Sequence, residues 1–422
     1  KEKMIIRIKK LYNEYPGQFW LIIGASFIDF LGFTMVFPFF SLYITQKFHV
    51  GMTTAGVLLG VYSFGDLIGR WFGGTWTDRF GRRKLFMLGP AFGALSSILL
   101  AITGSLLLMY PLSVLIGFIG GVSKPAESAI LADLLPESKR SEGFGILRVV
   151  HNMDWFVGPT IAGFVASKSF LGLFVIDAVL SCIVALIVYR FLKETKPPAT
   201  GEHEEQILTQ PMGGYGSVLR DLPFMAFILS SVVMMMVYLQ MYGSLSVYLR
   251  DNYHVDPRGY GLLMVTSAIT VILFQIWTTQ RIKGRPPFQM MALGTVFYAI
   301  GFTLFGIVGT LGLFALNVFI ITIGEMIVQP TSQVLVANFA PQDKRGRYMA
   351  VAGLSWVIPS MIGPGLAGYI LDNYNPHLLW YIGGIVTMIS VAGFYFLHLR
   401  LGTRPQFDPA QPAAQSMTVS TD

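Results

Sequence analysis

Long apolar stretches, each parted from the next by a short polar or Gly/Pro-containing segment, run along the whole chain. They fall at about residues 18–43, 55–77, 84–103, 106–134, 142–166, 169–191, 223–249, 258–280, 287–308, 312–338, 346–371 and 376–398. Each is about 20 residues or longer, the length an α-helix needs to cross a hydrocarbon core of ~30 Å. Only helices and closed barrels satisfy their backbone polar groups in lipid. These runs are continuous rather than alternating, which excludes barrel strands. The pattern predicts an all-α membrane protein with twelve transmembrane helices. The one long polar stretch, Lys193 to Leu222, holds Pro197, Pro198, Gly201, the acids Glu202, Glu204 and Glu205, and Gly213-Gly214, and reads as a linker. The expected division is 1–192, a first six-helix half; 193–222, the linker; 223–400, a second half; and 401–422, a tail.

Lys and Arg are unevenly placed between the runs. One side collects Lys1, Lys3, Arg7, Lys9 and Lys10, the Arg79–Lys84 loop, Lys139, Arg140, Arg190, Lys193, Lys196 and Arg220. The same side takes Arg281, Lys283, Arg285, Lys344, Arg345, Arg347, Arg400 and Arg404. The other has only Lys47, Lys168, Arg250 and Arg258. By the positive-inside rule both termini and the linker are expected to be cytoplasmic, in a multi-pass protein of the cell (inner or plasma) membrane. The segment after the basic N-terminus is too long for a signal-peptide core and reads as the first span.

Composition narrows the function. Charged residues make up 13% and hydrophobic residues 53%, with a mean hydropathy of +0.60; soluble domains carry about 25% charged residues. The lipid bilayer is therefore an expected partner. The net charge of +7 sits in the short connecting segments, so it sets orientation and does not indicate nucleic acid. The single cysteine, Cys182, excludes a disulfide framework or thiolate metal site within the chain. No nucleotide-binding loop, metal-ligand cluster or nucleophile–base pair is visible, so neither an enzyme nor a cofactor is expected, and a monomer is.

The chain is internally repeated. Gly158-Pro159-x-x-Ala162-Gly163 returns as Gly363-Pro364-x-x-Ala367-Gly368. Pro125, Ala132, Pro136, Lys139 and Arg140 match Pro330, Ala337, Pro341, Lys344 and Arg345, every pair 205 residues apart. A shared offset implies two pseudo-symmetric six-helix halves in parallel topology.

Between the second and third spans lies Gly74-Thr-Trp-Thr-Asp78-Arg79-Phe-Gly81-Arg82-Arg83-Lys84. Gly74 permits close helix approach, Gly81 a tight turn, and Asp78 can meet cations or a helix N-terminus. This segment resembles the G-x-x-x-D-R-x-G-R-[KR] signature of the major facilitator superfamily, and spans, linker and duplication extend the resemblance over the full chain. It implies the major facilitator fold and a loop acting as a cytoplasmic latch. The second copy, Gln280-Arg281-Ile-Lys283-Gly284-Arg285, keeps the basic turn but lacks the acid. Asn152-Met-Asp154-Trp-Phe-Val-Gly158-Pro159-Thr-Ile-Ala-Gly163 resembles the helix-bending G-P-x-x-G-G element of the drug:proton antiporter branch, with Phe164 where a second Gly is usual. The Arg-containing fourth-helix motif of that branch is absent from Leu115–Glu127; Arg148 on the fifth span is a candidate replacement for its charge.

Charges inside spans cost roughly 2.5–3.5 kcal/mol each, which makes them functional candidates. Asp29, Asp66, Asp154 and Glu325 lie near mid-span; Arg70, Lys124, Glu127 and Arg148 lie toward the basic side; Asp177 is placed near the outer end of its span, as an interfacial group. Spacing pairs Asp66 with Arg70 and Lys124 with Glu127. Glu325, in Gly324-Glu325-Met326, is far in sequence from any cation. By the family resemblance the first, fourth, seventh and tenth helices line a central cavity, so Asp29, Glu127 and Glu325 face it, and Tyr238, Gln240 and Tyr242 are cavity candidates beside Met234–Met236. His151 is the one histidine well inside a span, His377 and His398 lying at the ends of theirs, and Trp356 lies on the eleventh. The expectation is a proton-coupled antiporter exporting lipophilic or cationic compounds by alternating access, powered by the proton gradient, with Asp29, Glu127, Asp154 and Glu325 as proton or cation sites and Lys124, Arg148, Asp66 and Arg70 as a supporting polar network. The alternatives are a symporter or facilitator of a small polar or anionic solute, and a lysolipid or lipid transporter.

Overall fold

The computed structural model describes residues 12–196, 215–341 and 344–407. The basic N-terminal residues up to Lys10, much of the expected linker and the tail beyond Phe407 lie outside the described residues. Secondary structure among those described is helical throughout. The first helices are α1 (Gly17–Phe48), α2 (Met52–Phe80), α3 (Arg82–Ile102), α4 (Leu106–Leu134), α5 (Glu137–Ala166) and α6 (Phe170–Phe191). After the short α7 (Tyr215–Leu219) follow α8 (Leu222–Tyr238), α9 (Gln240–Gly243), α10 (Leu245–Tyr253), α11 (Pro257–Ile282), α12 (Pro287–Phe305), α13 (Leu311–Phe339), α14 (Arg345–Asn373) and α15 (His377–Leu401).

Eleven helices among the described residues are long and apolar enough to cross a membrane. The twelfth expected span is α5. Its 30 residues would reach across, but Glu137, Arg148, His151 and Asp154 dilute its apolar character. The seventh expected span is locally irregular: one membrane-length helix runs from Leu222 to Gly243, the backbone stays right-handed helical at Leu239 and Ser244, and α10 continues it. At the irregularity Gln240 Nε2 donates to the Met236 carbonyl at 2.8 Å, and Ser244 Oγ donates to Gln240 Oε1 at 2.8 Å. The repeat is exact where it is strongest. α4 and α13 each have 29 residues, begin and end 205 positions apart, and carry Pro125 and Pro330 at equivalent places.

The described residues form two compact units. One lies within Lys1–Val50, Val57–Thr200 and Asp256–Gly261, the other within Gly51–Gly56, Gly201–Val255 and Leu262–Asp422. In lipid the hydrophobic effect gives helices no reason to associate, so close packing and polar contacts must hold each unit together. In the first unit, α2 and α4 meet along glycines. A Cβ on Gly65, Gly69 or Gly73 would strike the carbonyl oxygen of Val114, Phe118 or Val122, and one on Gly117 or Gly121 would strike that of Tyr62 or Asp66. At the basic end Phe19, Ile22, Leu85, Phe86, Ala126, Ile130 and Val188 are buried in one cluster. The second unit packs rings: Phe224, Phe227, Phe288, Phe339 and Phe407 at one end, and Tyr248, Phe302, Phe305 and Trp380 at the other. Outward-facing positions are apolar, as at Leu107 (78% exposed) and Ile272 (75% exposed), which suits contact with lipid tails.

Candidate functional site

In the first unit the ionisable residues form two groups. Asp66 on α2 accepts from Arg70 Nε at 2.8 Å and from Lys124 Nζ at 2.8 Å. The Asp66–Arg70 pair expected from spacing is present. Lys124 differs: its ammonium crosses to Asp66 on the neighbouring helix instead of pairing along its own helix with Glu127. The glycine seam is the reason, because Gly121 packed on the Asp66 backbone brings Lys124, one turn on, level with that carboxylate. Glu127 instead lies 3.7 Å from His151 Nε2 on α5, and His151 stacks on Phe30 of α1 with ring centres 4.6 Å apart. Arg148 is exposed.

The second group follows α1. Thr34 Oγ1 donates to the Asp154 carbonyl at 2.9 Å, and Gly158, one turn further along α5, has no room for a Cβ against Thr34. Gly158 thus lets α1 and α5 cross closely, and Asp154 sits beside that crossing at 0% exposure. Among the described residues neither of its carboxylate oxygens has a hydrogen-bond partner. Asp29, half-buried on α1, is within electrostatic reach of Asp154, Asp177, Glu127 and Lys124. Asp177 is not interfacial as its place in the span suggested. It is buried, accepts a short hydrogen bond from Ser97 of α3, and occupies the space that Gly32 of α1 leaves by lacking a side chain. Gly163, further along α5, packs on Gly261 of the same unit with a Cβ-to-Cα approach of 2.8 Å.

At the basic end, Arg82 lies 3.9 Å from Asp78 and makes a much closer ion pair with Asp133 of α4. Gly81 adopts φ +98°, the left-handed backbone that the turn between α2 and α3 requires. Glu194, following α6, caps α3 by accepting from the Arg82 N–H at 2.9 Å, and also from the N–H groups of Thr195 and Lys196. Desolvation works against it, yet these N–H donors hold its carboxyl below the usual 4.5. Arg83 donates to the Tyr189 carbonyl, Arg79 packs on Phe80, and Gly74 has open space about it. Asp133 and Glu194 were missed in the sequence. The Arg-rich turn signalled a need for acids, but neither acid lies near it in the chain.

In the second unit Glu325 of α13 is half-buried, and its Oε2 is buried without a hydrogen-bond partner among the described residues. Tyr238, Tyr242 and Tyr298 are all buried and all within electrostatic reach of it. Tyr238 stacks on Tyr298 with centres 5.2 Å apart, meets Trp356 edge-on at 6.4 Å, and its hydroxyl lies 3.3 Å from that of Tyr242. Gln240, buried at the α8–α10 irregularity, has Gly363 of α14 against it, where a Cβ would fall 2.9 Å from Nε2. Pro364 lies within α14, and Gly368 packs on the Met52 backbone in the same unit. Tyr298 and Trp356 complete this ring. Nothing in their local sequence marked Tyr298, because its apolar neighbours read as an ordinary span.

Acids held within membrane-crossing helices are costly and mark candidate functional positions. The Major Facilitator Superfamily model matches residues 22–364 and 289–419, and the chain belongs to that family. It is 24% identical over 371 residues to a Na(+), Li(+), K(+)/H(+) antiporter of Planococcus maritimus, covering 81% of this chain and 87% of the relative. It is 23% identical over 391 residues to multidrug resistance protein 2 of Bacillus subtilis, covering 91% and 96%. A solved POT family transporter in complex with 5-aminolevulinic acid shares the fold, with a TM-score of 0.77, 16% identity, and 92% and 97% coverage. The chain is a multi-pass membrane transporter and not an enzyme.

Proposed function

We propose that the protein is a proton-coupled antiporter that exports lipophilic cations from the cell by alternating access. The observation that carries the reading is Glu325: a mid-span carboxylate whose buried Oε2 has no hydrogen-bond partner among the described residues, with the buried Tyr238, Tyr242 and Tyr298 within electrostatic reach. A buried carboxylate without a cation strongly favours being neutral. A proton or an organic cation relieves the same cost, so each displaces the other, and the surrounding ring faces attract a cation of low hydration. Relatives named as multidrug and cation/proton antiporters support exchange as the transport mode. Binding that differs between inward- and outward-facing states would convert this competition into transport.

In this reading both termini are cytoplasmic and the carrier works as a monomer in the cell membrane. The Gly74–Arg83 loop, with Asp78, Asp133 and Glu194, forms the latch. Asp29 and Glu127 contribute proton or cation sites, while Asp66, Arg70 and Lys124 brace the first unit. Lys124 is engaged by Asp66, which weighs against its capture of an anionic solute. The test is proton release from purified protein on addition of ethidium in weakly buffered detergent solution. The reading expects release in wild type and little in Glu325→Gln. Dye binding without proton release in wild type would refute it.

A further inference from the structure

We infer that the first unit contains a binding site for a small monovalent metal cation, sodium or lithium, at Asp154 where α5 crosses α1. This goes beyond the organic-cation reading, whose principal site lies on the second unit.

The argument begins with an unmet requirement. Asp154 is wholly buried, and both of its carboxylate oxygens lack a hydrogen-bond partner among the described residues. Ionised, it is an uncompensated charge among membrane-spanning helices, at a cost of several kcal/mol (roughly, in protein interiors). Protonated, it gives up the charge but still receives no hydrogen bond on either oxygen from the described residues. A bound cation removes both difficulties.

The surroundings supply the oxygen ligands such an ion takes. Asp29 on α1 is the charged group that acts on Asp154. Thr34, hydrogen-bonded to the Asp154 backbone at 2.9 Å, has a carbonyl oxygen to which Pro38, four residues on, can offer no N–H. Hard oxygen donors of this kind select alkali or alkaline-earth cations over transition metals, and the described residues hold no convergent group of three His, Cys, Asp or Glu side chains. Burial beside a close helix crossing favours an ion that sheds its water easily, which argues against magnesium.

Protons compete for the same oxygens. Asp29 from α1 acts on Asp154 directly, Asp177 from α6 and Glu127 and Lys124 from α4 act on Asp29, and His151 from α5 acts with Glu127 and Lys124, so these groups enter that competition.

The experiment is thermal unfolding of the purified full chain at pH 8.5 in sodium, lithium or choline chloride at equal ionic strength. Wild type is expected to unfold several degrees higher in sodium or lithium than in choline, with the rise shrinking as pH is lowered. Asp154→Asn should lose the difference and Glu325→Gln should keep it. Proton release on dye addition, measured on the same samples, reports the organic-cation reading separately. If Asp154→Asn does not fold, equilibrium binding of ²²Na⁺ to wild type, competed by protons, decides the matter. Equal unfolding in sodium and choline, an unchanged sodium effect in Asp154→Asn, or no ²²Na⁺ bound would each overturn the site.

Discussion

Replacing Gly121 by alanine, and separately its neighbour Gly120, isolates the energy of the α2–α4 seam. A Cβ on Gly121 would overlap the Asp66 carbonyl oxygen and lie 2.9 Å from the Asp66 carbonyl carbon and 3.0 Å from the Arg70 nitrogen. These are backbone atoms of a helix, so neither can rotate away; the helices must part by roughly 0.5–1 Å to restore ordinary contact. Overpacking of this kind costs about 1–3 kcal/mol. Gly120 has nothing within 4 Å of its added Cβ, and alanine there gains up to ~1 kcal/mol of helix propensity. The two variants differ by one methyl group on adjacent residues of the same helix, yet should differ by about 2 kcal/mol in stability, roughly thirty-fold in the folded-to-unfolded ratio. Reversible unfolding in mixed micelles with rising SDS, followed by circular dichroism, measures this. Equal midpoints would refute the reasoning, since they would mean that the seam yields without cost.

Lys124→Met leaves Asp66 with Arg70 alone; because the Lys124 side chain is 38% exposed, the expected loss is about 1–2 kcal/mol, short of the cost of a fully buried pair, and Asp66→Asn/Lys124→Met should recover part of it in the same assay. Glu194 has its carboxyl held below the usual 4.5, so its stabilising contribution is present above that value and is lost as pH falls through the lower folded value. The unfolding temperature of wild type should therefore approach that of Glu194→Gln below about pH 4.5 while exceeding it at neutral pH; a constant difference down to strong acid would contradict the cap. Arg82→Ala leaves Asp133 of α4 without its close ion pair and should lower the unfolding midpoint, while the Arg82 backbone N–H that Glu194 accepts from remains, so limited proteolysis after α6 should stay at the wild-type rate; faster cleavage there would contradict the backbone cap.

The helical spans were legible because lipid demands long apolar runs, and the repeat showed through Gly158-Pro159 and Gly363-Pro364, which recur where helices cross closely. α5 was recognisable as a span through that motif despite its charges. What local pattern did not carry was partnership across helices. Lys124 has Glu127 at helical spacing, but the glycines at 117 and 121, by closing α4 onto α2, deliver it to Asp66. Asp177 was misplaced because position along a span does not reveal that Gly32 on α1 leaves a hollow for it. The local irregularity after Tyr238 was hidden for a similar reason: Gln240 and Ser244 look like two polar residues in an apolar run, and nothing in the run shows that their side chains hydrogen-bond to each other. Glu325 stands out in the sequence as a lone acid, whereas Tyr298, which lies within electrostatic reach of it, comes from another span.

The most direct test of the account is dye flux in proteoliposomes driven by an imposed pH gradient, wild type beside Glu325→Gln. The account predicts gradient-dependent movement of a lipophilic cationic dye in wild type, collapsed by a protonophore and lost in Glu325→Gln. Dye movement of equal rate in both proteins, or none in a folded wild type, would contradict proton-coupled cation export through Glu325.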